Sequence, residues 1–547
     1  NSLFILASRA VLVALAKWLG FPGYAIMSPT LAGWIIPVTA AVLLIVMAAW
    51  RWRQNRFNFF KKRGIPGPEP NLLSGNFHQL WNQDTIKVLD EWSKAYGDIY
   101  GIFNGDAPFL VVNDLELLRR VFVKDFSLFV DRGDVWGTLN SNPELRNNIS
   151  FAKGHRWKFV RRSVSMAFTA AKLRSMTDGL NEAVDRFLDL LESKHKEVAG
   201  GGVDVHPLLG KLAFDMVAET ACGLYLDVQH KPDDEYFHST RSFVLNVVES
   251  VYQRIGQLFS GIKAIPTIVS ILETWFGREP LTGLAHIALP IAKLRAKDPS
   301  LARPDLINSL LEAKVPQELL DKSEFRARAN AKGEFLMPLC DVATNAASAL
   351  AAGFETVSAN TSSCVFCLAK YPEVQDKIRQ EANAAYEKHG QFSYDAVTDL
   401  PYTTQVLFET LRLYSPVVTF TSRQASCDYQ YKDMILPKGI NIMACTQNIH
   451  RDPRYWDKPD EFDPDRFSPE QKGSRDPLAF QPYGIGPRNC VGMKLAQLEM
   501  ALVIAKLVHR FRVHLSFRHK DGQLERKTQS IIASPRNGVW IRVERVR

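Results

Sequence analysis

The chain has 547 residues, 46% hydrophobic and 23% charged, a globular balance that excludes wholesale disorder. Its formal net charge is +9, but the excess gathers beside a hydrophobic segment rather than along a stripe, which argues against nucleic-acid binding. The seven cysteines are odd in number and scattered through apolar runs, so they imply a reducing compartment and not a disulfide scaffold.

In chain order, the first feature is an apolar run from Leu3 to Phe21, broken by Arg9 and Lys17. It reads as a second span, an interfacial helix or a processing segment. The stretch from Leu31 to Trp50 carries no charge and is long enough to span a bilayer core as a helix. Arg51, Arg53, Arg56, Lys61, Lys62 and Arg63 follow with no acid among them. The positive-inside rule therefore puts everything after them in the cytosol. Residues 1–64 are expected to form a membrane anchor with a basic stop-transfer patch, and 65–547 one large domain.

Pro66, Pro68 and Pro70 make a stiff connector. "YGDIYGIF" and "PFLVVND" alternate like short strands. The middle of the chain is helical. "AKLRSMTDGLNEAVDRFLDLLESKHKEV", "LLGKLAFDMVAETAC" and the long stretch from Glu334 to Tyr371 carry apolar residues at three- and four-residue steps. Residues 258–272, "LFSGIKAIPTIVSIL", suit either a buried core or partial insertion into a bilayer surface. The C-terminal "GVWIRVERV" returns to a strand pattern. The expected fold is mainly α with a smaller β region.

One thiol sits in a specific frame: "PYGIGPRNCVGMKLAQLE" places Cys490 after Gly484, Gly486 and Arg488. The glycines permit left-handed turns and close approach of a flat partner. Gly492 opens an apolar helix from Met493 to Arg510. A cysteine beside a cation at a helix N-terminus is favoured as thiolate, which is a metal ligand. A single thiolate cannot complete a zinc or iron–sulfur shell, so the metal must bring its other ligands with it. Haem does so, with Arg488 placed to pair a propionate.

These residues resemble the cysteine loop of the cytochrome P-450 family, F-x-x-G-x-R-x-C-x-G, which reads here from Tyr483 to Gly492. The departure is Tyr483 for Phe, and its phenol could donate a hydrogen bond near the sulfur. Further motifs follow in the order of that family. "AAGFETVS" carries Gly353, Glu355 and Thr356, where Gly353 would leave room for a ligand. "FETLR" sets Glu409 and Arg412 on one helix face, and Pro464–Phe467 resembles the later motif whose arginine joins that pair. "WKFVR" holds Trp157 and Arg161 one turn apart, and "FTSRQAS" holds Arg423.

The resemblance covers the chain from Pro66 to the C-terminus and is strongest to microsomal members: three-A drug oxidases, insect xenobiotic oxidases and thromboxane synthase. It implies the cytochrome P-450 fold and haem b with Cys490 as axial metal ligand. It also implies that Arg488, Trp157, Arg161 and Arg423 seat the propionates, with Arg132 as a further contact. Thr356 would orient water and pass on a proton during oxygen activation, and Glu355 would relay protons from solvent. Phe354 and Val417–Thr421 would lie near the iron.

The activity implied is a haem-thiolate monooxygenase acting on a lipophilic small molecule at the cytosolic face of the endoplasmic reticulum membrane. Electrons would come from NADPH through cytochrome P-450 reductase, docked on Lys494, Arg156 and Lys158, with cytochrome b5 as a second donor. Two alternatives are an isomerase of the thromboxane-synthase kind, which needs no helix threonine, and a non-catalytic haem binder, which needs neither Glu355 nor Thr356.

Overall fold

The computed structural model describes residues 29–82, 84–198, 202–231, 233–246, 250–276, 280–321, 327–330, 332–519, 522–529 and 531–546. The apolar run from Leu3 to Phe21 lies outside them. The chain divides into two units, 1–62 and 63–547.

The first unit is described by helix α1, Pro29–Phe57. Val42, Leu43, Leu44, Val46 and Met47 on it are exposed. Among the described residues no helix is long and apolar enough to cross a membrane. The expected span, 31–50, falls within α1, where the side chains at 29–37 and 45 are outside the described set.

The second unit is mainly helical with small sheets. After the extended connector at 65–70, strands β1, Ile99–Asn104, and β2, Ala107–Val112, form an antiparallel hairpin. Helices α2, Gly154–Ser165, α3, Ala170–Glu197, and α4, Val205–Cys222, follow. Gly223 closes α4 in the left-handed conformation, the geometry that makes glycine a helix stop.

Helix α5 is Leu339–Lys370, about 48 Å at helical rise. The expected helix from Glu334 starts later because Phe335 and Leu336 form a short strand and Pro338 caps the helix. From Phe354 to Leu368, every residue except Thr356 is buried. A helix enclosed on all sides sits at the centre of a large core. Its buried hydroxyls remain satisfied locally. Thr361, Ser362 and Ser363 donate to the carbonyls of Val357, Ser358 and Ala359 at 2.7, 2.7 and 2.8 Å, the back-bonding open to Ser and Thr in helices.

Helix α6, Pro401–Leu413, precedes strands β3, Ser422–Gln424, and β4, Asn441–Ala444. The main sheet runs β1-β2-β4-β3, with β2 and β4 parallel and β3 antiparallel to β4. Helix α7 runs from Met493 to Arg510 behind Gly492, the bounds expected from the apolar periodicity. The C-terminal strands include Ile532–Pro535 and Trp540–Arg545.

Candidate active site

The cysteine loop is built by two glycines. Gly484 and Gly486 have φ of +72° and +70°, the left-handed region that β-carbons disfavour. At Gly486 a Cβ would also meet Phe122 O at 1.8 Å, so only glycine fits. The loop closes when Cys490 N donates to Tyr483 O at 2.8 Å.

Cys490 opens onto a cavity that encloses about 1510 Å³ of space free of protein atoms, part of it continuous with solvent. Helix α5, the Trp136–Phe151 segment, Val417–Thr421 and Ile531–Ile532 supply its other walls. It has room for a flat macrocycle against the cysteine loop and a chamber beyond. The chamber is apolar, and no Asp or Glu lines it among the described residues.

Three guanidiniums meet on the wall of the same cavity. Arg488, from the loop, donates to Ala152 O at 2.7 Å and lies over the Trp157 ring at 4.4 Å. Arg423, on β3, is 1% exposed and donates to Ser422 O and Ile485 O at 2.7 and 3.2 Å. Arg132 lies over the Phe420 ring at 4.1 Å. Burial is the main cause that lowers all three: Arg488 to about 9, with repulsion from Arg132 and Arg161, Arg132 to about 10, with repulsion from Arg161, and Arg423 far below its ordinary value, with repulsion from Arg132 and Arg488. Arg488 Nε and Nη1, Arg423 Nε and Arg132 Nε are buried without a hydrogen-bond partner. Native proteins rarely leave buried donors of this strength unmatched.

Asp131 stands 3.7 Å from Arg488, outside hydrogen-bond reach. The residues therefore fit a planar group that brings carboxylates to these donors and an open axial position to the sulfur. Among the described residues no three His, Cys, Asp or Glu side chains gather to hold a metal ion, so an ion at Cys490 would arrive with its own equatorial ligands.

Several expected residues sit differently from the sequence reading. Arg161 gives both terminal nitrogens to Asn489, to its backbone O at 2.5 Å and its Oδ1 at 2.7 Å. It clamps the cysteine loop from α2 and does not line the cavity. Trp157 is likewise outside the cavity wall, packed between Arg488 and Phe126.

Thr356 lines the cavity and donates back to Ala352 O at 2.8 Å. Glu355 faces away, buried on the α4 side, with Oε1 3.9 Å from His206 Nε2. Burial raises its carboxyl and lowers His206 to about 4. Gly353 leaves room for no ligand, because a Cβ there would meet Val217 of α4 at 2.6 Å. Its role is close helix packing. Phe354 is core, edge-on to Phe214 and Phe237, whereas Val417, Phe420 and Thr421 do line the cavity.

Desolvation raises the Cys490 thiol, the Gly492 N–H, Arg161 and Arg132 offset this in part, and the residue is exposed on the cavity wall. The Tyr483 phenol does not bond the sulfur. It lies beside Gln497, raised by burial and by the nearby cysteine.

The structural ion pair is as expected from spacing. Glu409 accepts from Arg412 Nε and Nη2, both at 2.7 Å, and both residues are fully buried. Arg466 joins at 3.5 Å. Arg412 also donates to the carbonyls of His450, Pro459 and Glu461.

The family's sequence pattern, described as Cytochrome P450, matches residues 65–541. Rat Cytochrome P450 3A2 is 30% identical over 489 residues, 88% of this chain and 91% of the relative. Mouse Cytochrome P450 3A11 is 29% identical over 88% of this chain and 91% of its own length. Human Cytochrome P450 3A5 is 28% identical over 87% and 90%. The chain belongs to the cytochrome P450 family. It is an oxidoreductase of the monooxygenase class whose cofactor is haem b held by a cysteine thiolate.

Proposed function

We propose that the protein inserts one oxygen atom into a lipophilic organic substrate, with electrons from NADPH delivered by a flavoprotein reductase, at the cytosolic face of the endoplasmic reticulum membrane. The observation that carries the reading is one thiol and three guanidiniums with unmatched buried nitrogens on the wall of an apolar cavity. Bound haem b supplies dioxygen activation and oxygen insertion at a carbon–hydrogen bond.

The chain supplies the rest. Cys490 would hold the haem iron through its sulfur, and the Arg161–Asn489 clamp holds the loop that presents it. Arg488, Arg423 and Arg132 receive the propionates, and Trp157 braces Arg488. Thr356 keeps a hydroxyl on the cavity wall to order water and pass a proton inward. Glu355 reaches that route only through a side-chain rotation, since it rests toward His206. The apolar walls exclude bulk water from the reacting centre.

Membrane attachment has two supports. The uncharged stretch 31–50 precedes a basic patch. Separately, Ile262, Ile268, Ile271, Leu272, Trp275 and Phe276 are exposed within 251–276, which suits contact with a bilayer surface. Exposed Lys158 and Lys494, with Arg156, offer a basic docking face to an acidic reductase.

The test is reconstitution with haem, reductase and NADPH. Oxygen uptake with an oxidised lipophilic product is the expected result, and Thr356→Ala should divert electrons to hydrogen peroxide. Oxygen-independent rearrangement, or turnover indifferent to Thr356→Ala, would overturn the reading.

A further inference from the structure

Away from the arginines, one polar device faces the apolar chamber. Asn148 is fully buried in the segment before α2. Its Nδ2 donates to Thr344 O at 2.9 Å and to Ser348 Oγ at 2.6 Å, and its Oδ1 accepts from Ser150 N at 3.0 Å. A backbone carbonyl only accepts and a backbone N–H only donates, so both ends of the amide are assigned by their partners.

Ser348 Oγ is therefore an acceptor, and its own proton must go elsewhere. Thr344 of α5 donates three residues back, to Asp341 O, and four other hydroxyls of the helix, those of Thr356, Thr361, Ser362 and Ser363, return their proton to the carbonyl four residues back. For Ser348 that carbonyl is Thr344 O, which already takes Asn148 as well as the helix's own ladder bond. Among the described residues no group accepts the Ser348 proton, and Ser348 lines the cavity.

We infer that Ser348 is a specificity-determining donor that binds an acceptor oxygen (carbonyl, ether or hydroxyl) of a neutral lipophilic substrate. This rests on the haem-thiolate reading, which puts the reacting carbon near Thr356. Thr356 follows Ser348 by eight residues, about 12 Å along the helix. The favoured substrates are therefore extended or rigid polycyclic molecules, with oxygen at one end and oxidation toward the other. An ammonium group would find no carboxylate on the lining, and the lining's cations belong to the cysteine-loop end.

The experiment uses the full chain loaded with haem and two probes, 5α-androstan-3-one and its parent hydrocarbon 5α-androstane. Affinities are read by equilibrium dialysis alongside the ligand-induced spectral shift. The wild-type protein should prefer the ketone by about three- to tenfold, the range of one net hydrogen bond. Ser348→Ala should abolish the preference without changing hydrocarbon affinity, and Ser348→Thr should retain it. Equal weakening of both probes in Ser348→Ala, or no ketone preference in the wild type, overturns the inference. Failure of the haem-thiolate reading would look different: the loaded wild-type protein would lack the thiolate spectrum while dialysis still reported both affinities.

Discussion

Two clusters of buried arginine lie in the same domain and are built on opposite principles. Around Glu409, Arg412 gives two bonds to a carboxylate and three to backbone carbonyls, with Arg466 behind it. Around Cys490, Arg132, Arg423 and Arg488 face one another, and four of their nitrogens have no partner. A buried charge is tolerated when paired and costly when it is not. The first cluster carries its own hydrogen-bonded carboxylate, with Arg466 Nε alone left without a hydrogen-bond partner. The second is complete only with an anionic partner. Both are arginine clusters inside the domain, so what separates the structural site from the binding site is whether the polypeptide supplies a hydrogen-bonded carboxylate.

The sharpest way to break this comparison is to open the paired cluster. Glu409→Ala leaves Arg412 buried without a carboxylate and should cost about 3–5 kcal/mol, read as a lower denaturant midpoint in protein with and without haem. The incomplete cluster should behave in the opposite sense. Arg423→Met should leave the haem-free protein at least as stable as wild type, while hemin affinity falls by about tenfold or more, one charge-assisted bond being worth roughly 1.5–3 kcal/mol. Destabilisation of the haem-free protein as severe as for Glu409→Ala would erase the distinction.

Arg161 tests where the cluster ends. If it acts on the loop, Arg161→Ala and Asn489→Ala should each weaken hemin binding by similar amounts, and the double variant should add little to either. Additive losses would mean that Arg161 contacts the cofactor independently.

A third buried charge shows the remaining solution. Glu499 on α7 is 2% exposed with Oε1 unpartnered, and burial raises its carboxyl from 4.5 to about 8. With no cation at hand it stays protonated. The folded state then holds a proton that the unfolded chain releases between about pH 4.5 and 8, so its contribution to stability falls as pH rises through that window. Glu499→Gln should gain stability relative to wild type across the same window, by a few kcal/mol at most, and the difference should level off outside it. A pH-independent difference would mean that Glu499 is charged and paired.

Much of this architecture was legible from local spacing. Gly492 and the apolar steps after it bounded α7, and Glu409 and Arg412 met because i and i+3 share a helix face. Facing was not legible. Thr356, Glu355, Phe354 and Gly353 are neighbours in sequence, yet one lines the cavity and the others pack toward the protein interior and α4. Which face is covered depends on helices distant in sequence.

The Arg161–Asn489 clamp spans 328 positions and left no periodic trace. The Asn148–Ser348 bond was missed for the same reason.

The account rests most heavily on sulfur from Cys490 holding the iron. The carbon monoxide difference spectrum of the reduced, haem-loaded protein tests this directly. Wild type should give the red-shifted band of thiolate-ligated haem, and Cys490→Ala should lack it. Persistence of that band in Cys490→Ala, or its absence from haem-loaded wild type, would contradict the assignment.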